Sequence, residues 1–265
     1  MSLSPSDLHA YLARIGIDAP AGAALDSLTR LQLAHLQAAP FENLAIFAGR
    51  SVTADNNWTF SKIVDQQRGG WCFELNGAFA QLLESLGFEV MRLGAAVLLG
   101  GPNTLIDHLV LEVMLDQPYL VEVGFGDKAP IVPIPLQAAG PVDTRDGTFE
   151  LLNSPQGTTL TRLVDGVPEA LYRFKRVNHQ PSDFEGASMR LQNDPTLHWS
   201  TTPFATRLLD DQGTRLTLTR DALKTIRGDT VESVPVDPFD WNDVLFEHFG
   251  IVESVPPEAL ERQPD

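Results

Sequence analysis

The sequence predicts an α+β protein, and three observations along its 265 residues support this class. In residues 1–87, apolar residues recur at helical spacing, which indicates a helical bundle. In residues 88–187, short apolar or β-branched runs are separated by turn residues, which is typical of an antiparallel barrel or sandwich. In residues 188–265 both patterns occur. Helices followed by strands favour an α+β fold over a regularly alternating α/β fold.

Start and stop signals divide the first region into helices. Pro40 ends one of them and opens a connection to Leu44 that is expected to be irregular. The last helix starts at Cys72, carries apolar residues along one stripe, and meets the stop signal Gly87. The helices are expected from Ser6 or Asp7 to Gly16, from Asp26 or Ser27 to Pro40, over about 61–67, and from Cys72 to Gly87.

The middle region changes to strands at Phe88. Each run is short, and Gly, Pro, Asn or Asp bounds it on either side. The predicted strands are Val90–Leu99, His108–Leu115, Tyr119–Phe125, Ile131–Ile134, Thr148–Leu152, Thr159–Leu163 and Leu171–Lys175.

The last region predicts strands at Thr214–Thr219, Leu223–Ile226 and Thr230–Val234. Asp237 and Pro238 resemble an N-cap and first helical position, so a helix is expected from there to Gly250. The final ten or so residues contain three prolines and are expected to be frayed.

Cys72 is the only cysteine, and it follows the pair Gly69-Gly70 at the predicted start of a helix. Glycines can take backbone angles that other residues resist, which allows a tight turn. The positive end of the helix and its free N–H groups favour the thiolate and could hold an oxyanion. A buried structural cysteine is the alternative.

A thiolate needs a base, and the base usually needs an orienting carboxylate. His108 lies in an apolar strand, where it could instead be an ordinary core residue. Glu122 lies in the next predicted strand, short enough to form a hairpin with the first. A buried carboxylate is costly unless it is paired, so His108 is its expected partner, although a solvent-facing Glu122 is the alternative. Asp107 and Asp127 are weaker candidates.

Composition excludes several classes of function. The net charge of −16 argues against nucleic acid or an anionic membrane as a partner. A single cysteine allows no intramolecular disulfide and fits the cytoplasm, and no apolar run approaches the roughly 20 residues of a membrane span. The N-terminus shows no secretory signal. One cysteine and scattered histidines predict no metal site. The oligomeric state stays open.

The chain resembles the arylamine N-acetyltransferase family from its first helix to its last. The most specific match is the run Arg68–Asn76, with its Arg-Gly-Gly-aromatic-Cys order. The other matching stretches are Tyr11–Gly16, Pro40–Leu44, Asp107–Leu111 and Val121–Gly126.

The resemblance implies a core like that of cysteine proteases and transglutaminases: a helical bundle (1–87), a β-barrel (88–187) and an α/β lid (188–265). It implies a catalytic triad of Cys72, His108 and Glu122, in which Glu stands where the family usually has Asp. It also implies ping-pong transfer of acetyl from acetyl-CoA, with Cys72 as the acetyl carrier, to arylamines, arylhydrazines or arylhydroxylamines.

The same resemblance assigns the pocket residues. Those implied to contact the aromatic acceptor are Phe41, Phe125 and Phe204. Those implied to contact the cofactor are Gly124, Gly126, Lys128 and Thr202. The segment 193–199 matches the family poorly. Further cations available for a CoA tail are Arg173, Lys175, Arg176 and Arg207, and Arg68 is expected to pair with an acid such as Glu42 and so pin the turn before Cys72.

Two other functions remain open. A hydrolase or amide synthase of the same fold would use a thioester other than acetyl-CoA. A binding protein with a decayed site would leave Cys72 no more reactive than an ordinary thiol.

Overall fold

The chain starts with helices, as the pattern predicts, and a computed structural model describes residues 2–261. A π-helical turn, Ser61–Asp65, and a 3-10 turn, Pro181–Phe184, extend two of the helices. Within the described range the helices are α1 (Pro5–Ile15), α2 (Leu25–Ala38), α3 (Leu44–Phe47), α4 (Asn56–Phe60), α5 (Cys72–Ser85), α6 (Glu185–Asn193), α7 (His198–Thr201), α8 (Trp241–Phe249) and α9 (Pro257–Glu261).

The strands form two antiparallel sheets. Their bounds are β1 (Phe41–Glu42), β2 (Glu89–Val97), β3 (His108–Met114), β4 (Pro118–Val121), β5 (Ile134–Pro135), β6 (Val142–Thr144), β7 (Gly147–Ser154), β8 (Gly157–Val164), β9 (Val167–Asn178), β10 (Ala205–Leu208), β11 (Arg215–Leu218), β12 (Ala222–Arg227) and β13 (Thr230–Pro235). The larger sheet, in the order β5-β4-β3-β2-β9-β8-β7-β6, curls into a nearly closed barrel, which settles the choice between barrel and sandwich. The smaller, in the order β1-β10-β11-β12-β13, belongs mainly to the C-terminal region.

Helix α5 is the centre of the main core. Every residue from Cys72 to Leu83 is buried, because α5 packs against the other N-terminal helices on one side and against β3 on the other. Alternation along β4 sends Tyr119 and Val121 into this helical core and Leu120 into the barrel interior. The α+β fold class predicted from the sequence is therefore confirmed, with α5 held between bundle and barrel.

Several predicted helices start at residues other than those expected. Helix α1 is capped by the Ser4 side chain, two residues before the expected cap. Helix α8 starts at Trp241 because Asp237 and Pro238 form a turn before it instead of its first residues. The helix expected at 61–67 starts at Asn56. Capping residues are also frequent in loops, so a capping residue in the sequence does not by itself fix where a helix starts.

Other elements were missed or misassigned. The connection after Pro40 is not irregular, because Phe41 and Glu42 pair with β10 and α3 follows. The pattern missed β6, β10 and α6, whose sequences carry weak periodicity. The tail expected to be frayed contains α9, and residues 262–265 lie outside the described range. The division into 1–87, 88–187 and 188–265 stays a prediction.

Candidate active site

Cys72 is the first residue of α5, as the sequence predicts. The strand-like pairing of Phe41 with Gly70 holds the turn that precedes it: Glu42 N donates to Gly70 O at 2.9 Å, and Gly70 N donates to Pro40 O at 3.1 Å. Because β1 also pairs with β10, the turn before Cys72 is tied to the C-terminal sheet as well as to the helical bundle.

Gly69 and Gly70 are required for space, not for unusual backbone angles. Neither has a positive φ, so the turn does not use the left-handed backbone angles that glycine makes accessible. A Cβ on Gly69 would lie 1.9 Å from Pro40 O, and one on Gly70 would lie 2.5 Å from a carboxylate oxygen of Glu74. Any larger residue would push the turn away from β1 and displace Cys72.

A buried ion network fixes this turn. Arg68 Nη2 lies 2.8 Å from Glu42 Oε1, so the predicted pairing of these two residues is confirmed. Arg68 also contacts Glu253 near the C-terminus. Lys62 Nζ lies 2.9 Å from both oxygens of Glu74, and Glu74 Oε2 in turn accepts from Trp71 N at 3.1 Å, at the start of α5. Because separating a buried ion pair leaves an uncompensated charge, these contacts oppose displacement of the turn.

His108 and Glu122 are brought together as the sequence predicts. Strands β3 and β4 form an antiparallel pair in which Leu111 faces Val121. Continuing that register past the end of β4 places Glu122 on the same face as His108. His108 Nε2 lies 2.6 Å from Glu122 Oε2, and the two side chains are 2% and 1% exposed. Glu122 directly follows the last residue of β4, whereas the sequence predicted it inside the strand.

The other carboxylate oxygen of Glu122 is also occupied. Glu122 Oε1 accepts from Asn76 Nδ2 at 2.7 Å and from Gly124 N at 2.7 Å. Asn76, one helical turn after Cys72, also donates to Leu109 O and accepts from Val123 N. Three donors around one carboxylate hold it in a single orientation, and sequence reasoning had not identified Asn76 as part of the site.

The surroundings of His108 decide its protonation. Burial alone lowers the pKa of an imidazole. Here the negative charge of Glu122, the hydrogen bond to Glu122 and the adjacent Cys72 side chain outweigh burial and raise the pKa of His108 to about 10. Because Nε2 binds Glu122, Nδ1 is the ring nitrogen left for Cys72. The His108 ring is therefore protonated at neutral pH, and it lines the same cavity as the sulfur of Cys72.

The two alternative carboxylates do not reach His108. Asp107 Oδ1 accepts from Val97 N at 2.9 Å and its Oδ2 accepts from Asn103 Nδ2 at 2.6 Å, so it braces the loop before β3. Asp127 is exposed at the cleft rim. Among the residues described, Glu122 is the carboxylate paired with His108.

Cys72 and His108 open into a small inner cavity of about 60 Å³. Two of the predicted acceptor contacts, Phe41 and Phe125, line it, and Phe125 packs edge-on against His108 at 5.1 Å between ring centroids. Gly124 lines it too, directly beside Cys72. The lining residues that sequence reasoning missed are Trp71, Val97, Leu99, Leu191 and Trp199.

The inner cavity leads into an outer cleft of about 650 Å³. Phe204, Gly126 and Thr202 line this cleft, as do Phe41 and Phe125. Trp199 lies at the junction, 5.8 Å between ring centroids from both Phe41 and Phe204. Trp199 belongs to the segment that matches the family poorly, and its one signal in the sequence was an aromatic residue in a polar stretch.

The predicted cofactor cations lie outside this cleft. Lys128 Nζ pairs with Glu169 at 2.6 Å in a separate cavity. Arg173 donates to Asn103 O, and Arg176 pairs with Glu112. Arg207 stacks over a phenyl ring and Lys175 is exposed, so none of the five lines the inner cavity or the outer cleft within residues 2–261.

A buried thiol next to an imidazolium, which a carboxylate orients, is the arrangement of enzymes that form a covalent acyl-enzyme. The site thus defines a cysteine-dependent acyl-transfer or hydrolytic enzyme. The comparisons with known proteins narrow this class.

An N-acetyltransferase family model matches residues 24–255. The arylamine N-acetyltransferase of Mycolicibacterium smegmatis is 34% identical over 259 residues, which cover 92% of each chain. The structure of the Mycobacterium marinum arylamine N-acetyltransferase in complex with CoA superimposes with a TM-score of 0.85, at 31% identity, covering 96% of this chain and 97% of that one. The chain belongs to the arylamine N-acetyltransferase family and is an acyltransferase.

A more distant structure has the same fold. It is an arylamine N-acetyltransferase from Bacillus cereus, 22% identical, with a TM-score of 0.84 and covering 94% of this chain and 99% of that one. That protein is described as having a unique Cys-His-Glu catalytic triad.

Within residues 2–261, no helix has the length and apolar character needed to cross a bilayer. In the same range, no three His, Cys, Asp or Glu side chains are grouped so as to hold a metal ion.

Proposed function

We propose that this protein transfers acetyl from acetyl-CoA to arylamines, arylhydrazines or arylhydroxylamines by a ping-pong reaction. Cys72 is the nucleophile, His108 the acid and base, and Glu122 the residue that orients His108. The single observation that carries this proposal is the 2.6 Å contact between His108 and Glu122, next to a thiol that opens into an apolar cavity.

In the first half-reaction the thiolate of Cys72 attacks the thioester carbonyl of the donor. The developing oxyanion is stabilised by N–H groups at the start of α5, where the helix dipole is positive. The bond from the carbonyl carbon to the CoA sulfur then breaks, and His108 gives its proton to the leaving thiolate. The product is acetyl-Cys72 with a neutral imidazole.

In the second half-reaction the amine nitrogen attacks the carbonyl carbon of acetyl-Cys72. His108 accepts a proton from the amine, and the Cys72 thiolate leaves as the amide forms. Glu122 stabilises the imidazolium in both the starting and the final state. In this role Glu and Asp are chemically equivalent, and a Cys-His-Glu triad is described for the Bacillus cereus relative.

The cavities are suited to an aromatic acceptor and a long donor. The inner cavity is walled by aromatic rings that suit a flat ring, with Phe125 placed against His108. The outer cleft has the size of a small-molecule site and passes Gly126 and Thr202, the proposed contacts for the CoA arm. The CoA complex of the Mycobacterium marinum relative supports CoA as the carrier. We propose no metal and a cytoplasmic location.

The test is the intact mass of the protein after mixing with acetyl-CoA and no acceptor. We expect one added acetyl group on the wild type and none on Cys72→Ala, and we expect aniline to discharge it. An acetyl group lost to water as fast as to aniline would instead indicate a thioester hydrolase. Absence of the adduct on a folded wild type contradicts the proposed donor.

A further inference from the structure

A third cavity, of about 550 Å³, lies on the other side of the loop that follows Glu122. Its walls come from the barrel around β8 and from the five-stranded sheet around β11 and the turns beside it. Three arginines line it: Arg162 on β8, Arg215 on β11 and Arg145 in the turn before β7. Asp127 lines both this cavity and the outer cleft, so the two spaces adjoin.

Arg215 is the unusual member of this cavity. It is only 5% exposed. Among residues 2–261 its side chain makes no ion pair and donates no hydrogen bond, although it faces the cavity. Its neighbour Arg162 donates to the carbonyl oxygen of Asp146 at 2.9 Å and also has no carboxylate in contact. Buried cations normally have partners, so a buried guanidinium without one requires an explanation.

The nearby acids do not supply the missing partner. Both oxygens of the Asp146 carboxylate are already in use, one by the Thr144 hydroxyl and one by the backbone N–H of Ile131. Burial lowers the pKa of Arg215 to about 10, and the charge of Arg162 acts in the same direction, while Asp127 and Asp146 oppose both. The positive charge inside the cavity is therefore incompletely compensated.

Charges are sorted between the interior and the rim of the cavity. Asp127, Asp165 and Asp229 are exposed at the rim, where water solvates them. The other cations at the rim are paired, Lys128 with Glu169 and Arg145 with Asp211. Only the interior guanidinium groups of Arg162 and Arg215 face the cavity without a carboxylate in contact, within residues 2–261.

We propose that Arg215 and Arg162 form a binding site for a phosphate group in this cavity. The planar guanidinium group donates in a fork that matches the oxygens of phosphate, and two such groups side by side balance its charge. The phosphate has two possible sources: the nucleotide end of the donor, which would cross from the cleft past Asp127, or free phosphate. Binding of the nucleotide end of the donor rests on the proposed function, whereas binding of free phosphate does not.

The first measurement is thermal stability with added sodium phosphate, at an ionic strength matched with sodium chloride. We expect the wild-type midpoint to rise by roughly 2 to 3 °C at about ten times the dissociation constant. Arg215→Met should abolish the rise, and so should Arg162→Met, which provides a second variant if the first does not fold. Arg227→Met is the matched control, because Arg227 is exposed, pairs only loosely with Glu232, and does not line the cavity.

The second measurement identifies the source. If the donor supplies the phosphate, Arg215→Met raises KM for acetyl-CoA roughly tenfold but leaves KM for acetyl-CoA lacking its ribose 3′-phosphate unchanged. If only the phosphate-induced rise is lost and KM is unchanged, the site takes free phosphate. If neither the midpoint rise nor KM differs between wild type and the Arg215 and Arg162 variants, the proposal is wrong. Because the thermal measurement requires no acetyl transfer, its result is independent of whether Cys72 is acetylated.

Discussion

Two buried histidines in the described chain differ in the sign of their pKa shift. His108 faces the Glu122 carboxylate, and its pKa is raised to about 10. His35 on α2 faces a neutral partner, the Tyr11 hydroxyl at 2.9 Å, and burial together with the charge of Arg14 lowers its pKa to about 3. Both side chains are about equally inaccessible to water. Burial alone therefore does not determine the protonation state of a histidine. The charge of its hydrogen-bond partner decides whether the ring is protonated or neutral at neutral pH.

Glu122→Gln should have the greatest effect, because it makes the partner of His108 neutral, like that of His35. Without the negative charge, burial lowers the pKa of His108, and the amide cannot stabilise the imidazolium. We expect the rate of acetyl transfer to fall by about 10³- to 10⁴-fold. Steady-state kinetics and an NMR titration of the His108 ring measure both effects. The matched control is Glu112→Gln, a buried acid on β3 that pairs with Arg176. A variant that retains the wild-type rate would remove Glu122 from the mechanism.

Glu122→Asp separates the effect of charge from that of side-chain length, because it keeps the carboxylate and shortens the side chain. The shorter carboxylate cannot reach His108 while it also accepts from Asn76 and Gly124, so one hydrogen bond lengthens. A displacement of roughly 1 Å in such a site costs about a hundredfold in rate. We expect a loss of about 10- to 100-fold, with the pKa of His108 still raised. A rate equal to that of the wild type would show that acetyl transfer does not depend on the length of the Glu122 side chain.

The opposite pKa shifts predict opposite dependences of stability on pH. The ordinary pKa of histidine is 6.5. His108, whose pKa is raised in the folded state, contributes stability that is full below pH 6.5 and is lost as the pH rises toward about 10. His35, whose pKa is lowered, contributes stability above pH 6.5 that is lost as the pH falls toward about 3.

Urea unfolding of the wild type, His108→Gln and His35→Gln at several pH values measures this. The difference in the free energy of unfolding between wild type and His108→Gln should shrink with rising pH, and the difference for His35→Gln should shrink with falling pH. If both differences in the free energy of unfolding changed in the same direction with pH, the assigned partners, Glu122 for His108 and Tyr11 for His35, would be contradicted.

The smallest expected effect is that of Tyr11→Phe. Nδ1 of His35 already has no hydrogen-bond partner within the described residues, so losing the hydroxyl leaves the whole ring unsatisfied. We expect a loss of about 1 to 2 kcal/mol in the free energy of unfolding, with an unchanged rate of acetyl transfer. Urea unfolding and a standard assay test this. A slower transfer would mean that the Tyr11–His35 pair communicates with α5, which it reaches through the contact of His35 with Phe79.

Sequence patterns predict those parts of this protein that depend on hydrophobic periodicity and on the pairing of buried charges. The start of α5 at Cys72, its burial, the hairpin of β3 and β4, and the pairing of His108 with Glu122 all follow from local periodicity and from the cost of an unpaired buried carboxylate. The Arg68–Glu42 pair was also foreseeable, because the turn before a nucleophile has to be held.

The tertiary structure alone decided which distant residues meet. Asn76 becomes a partner of Glu122 because α5 packs on β3, and Trp199 reaches the cavity of Cys72 because β10 pairs with β1. Gly69 is required because Pro40 and Glu42 lie against it, and Gly70 because the Glu74 side chain does, not because of their own backbone angles. Arg215 and Arg162 share one cavity because the barrel and the C-terminal sheet meet around it. Such contacts span more than a hundred residues in several cases, and no local pattern records them.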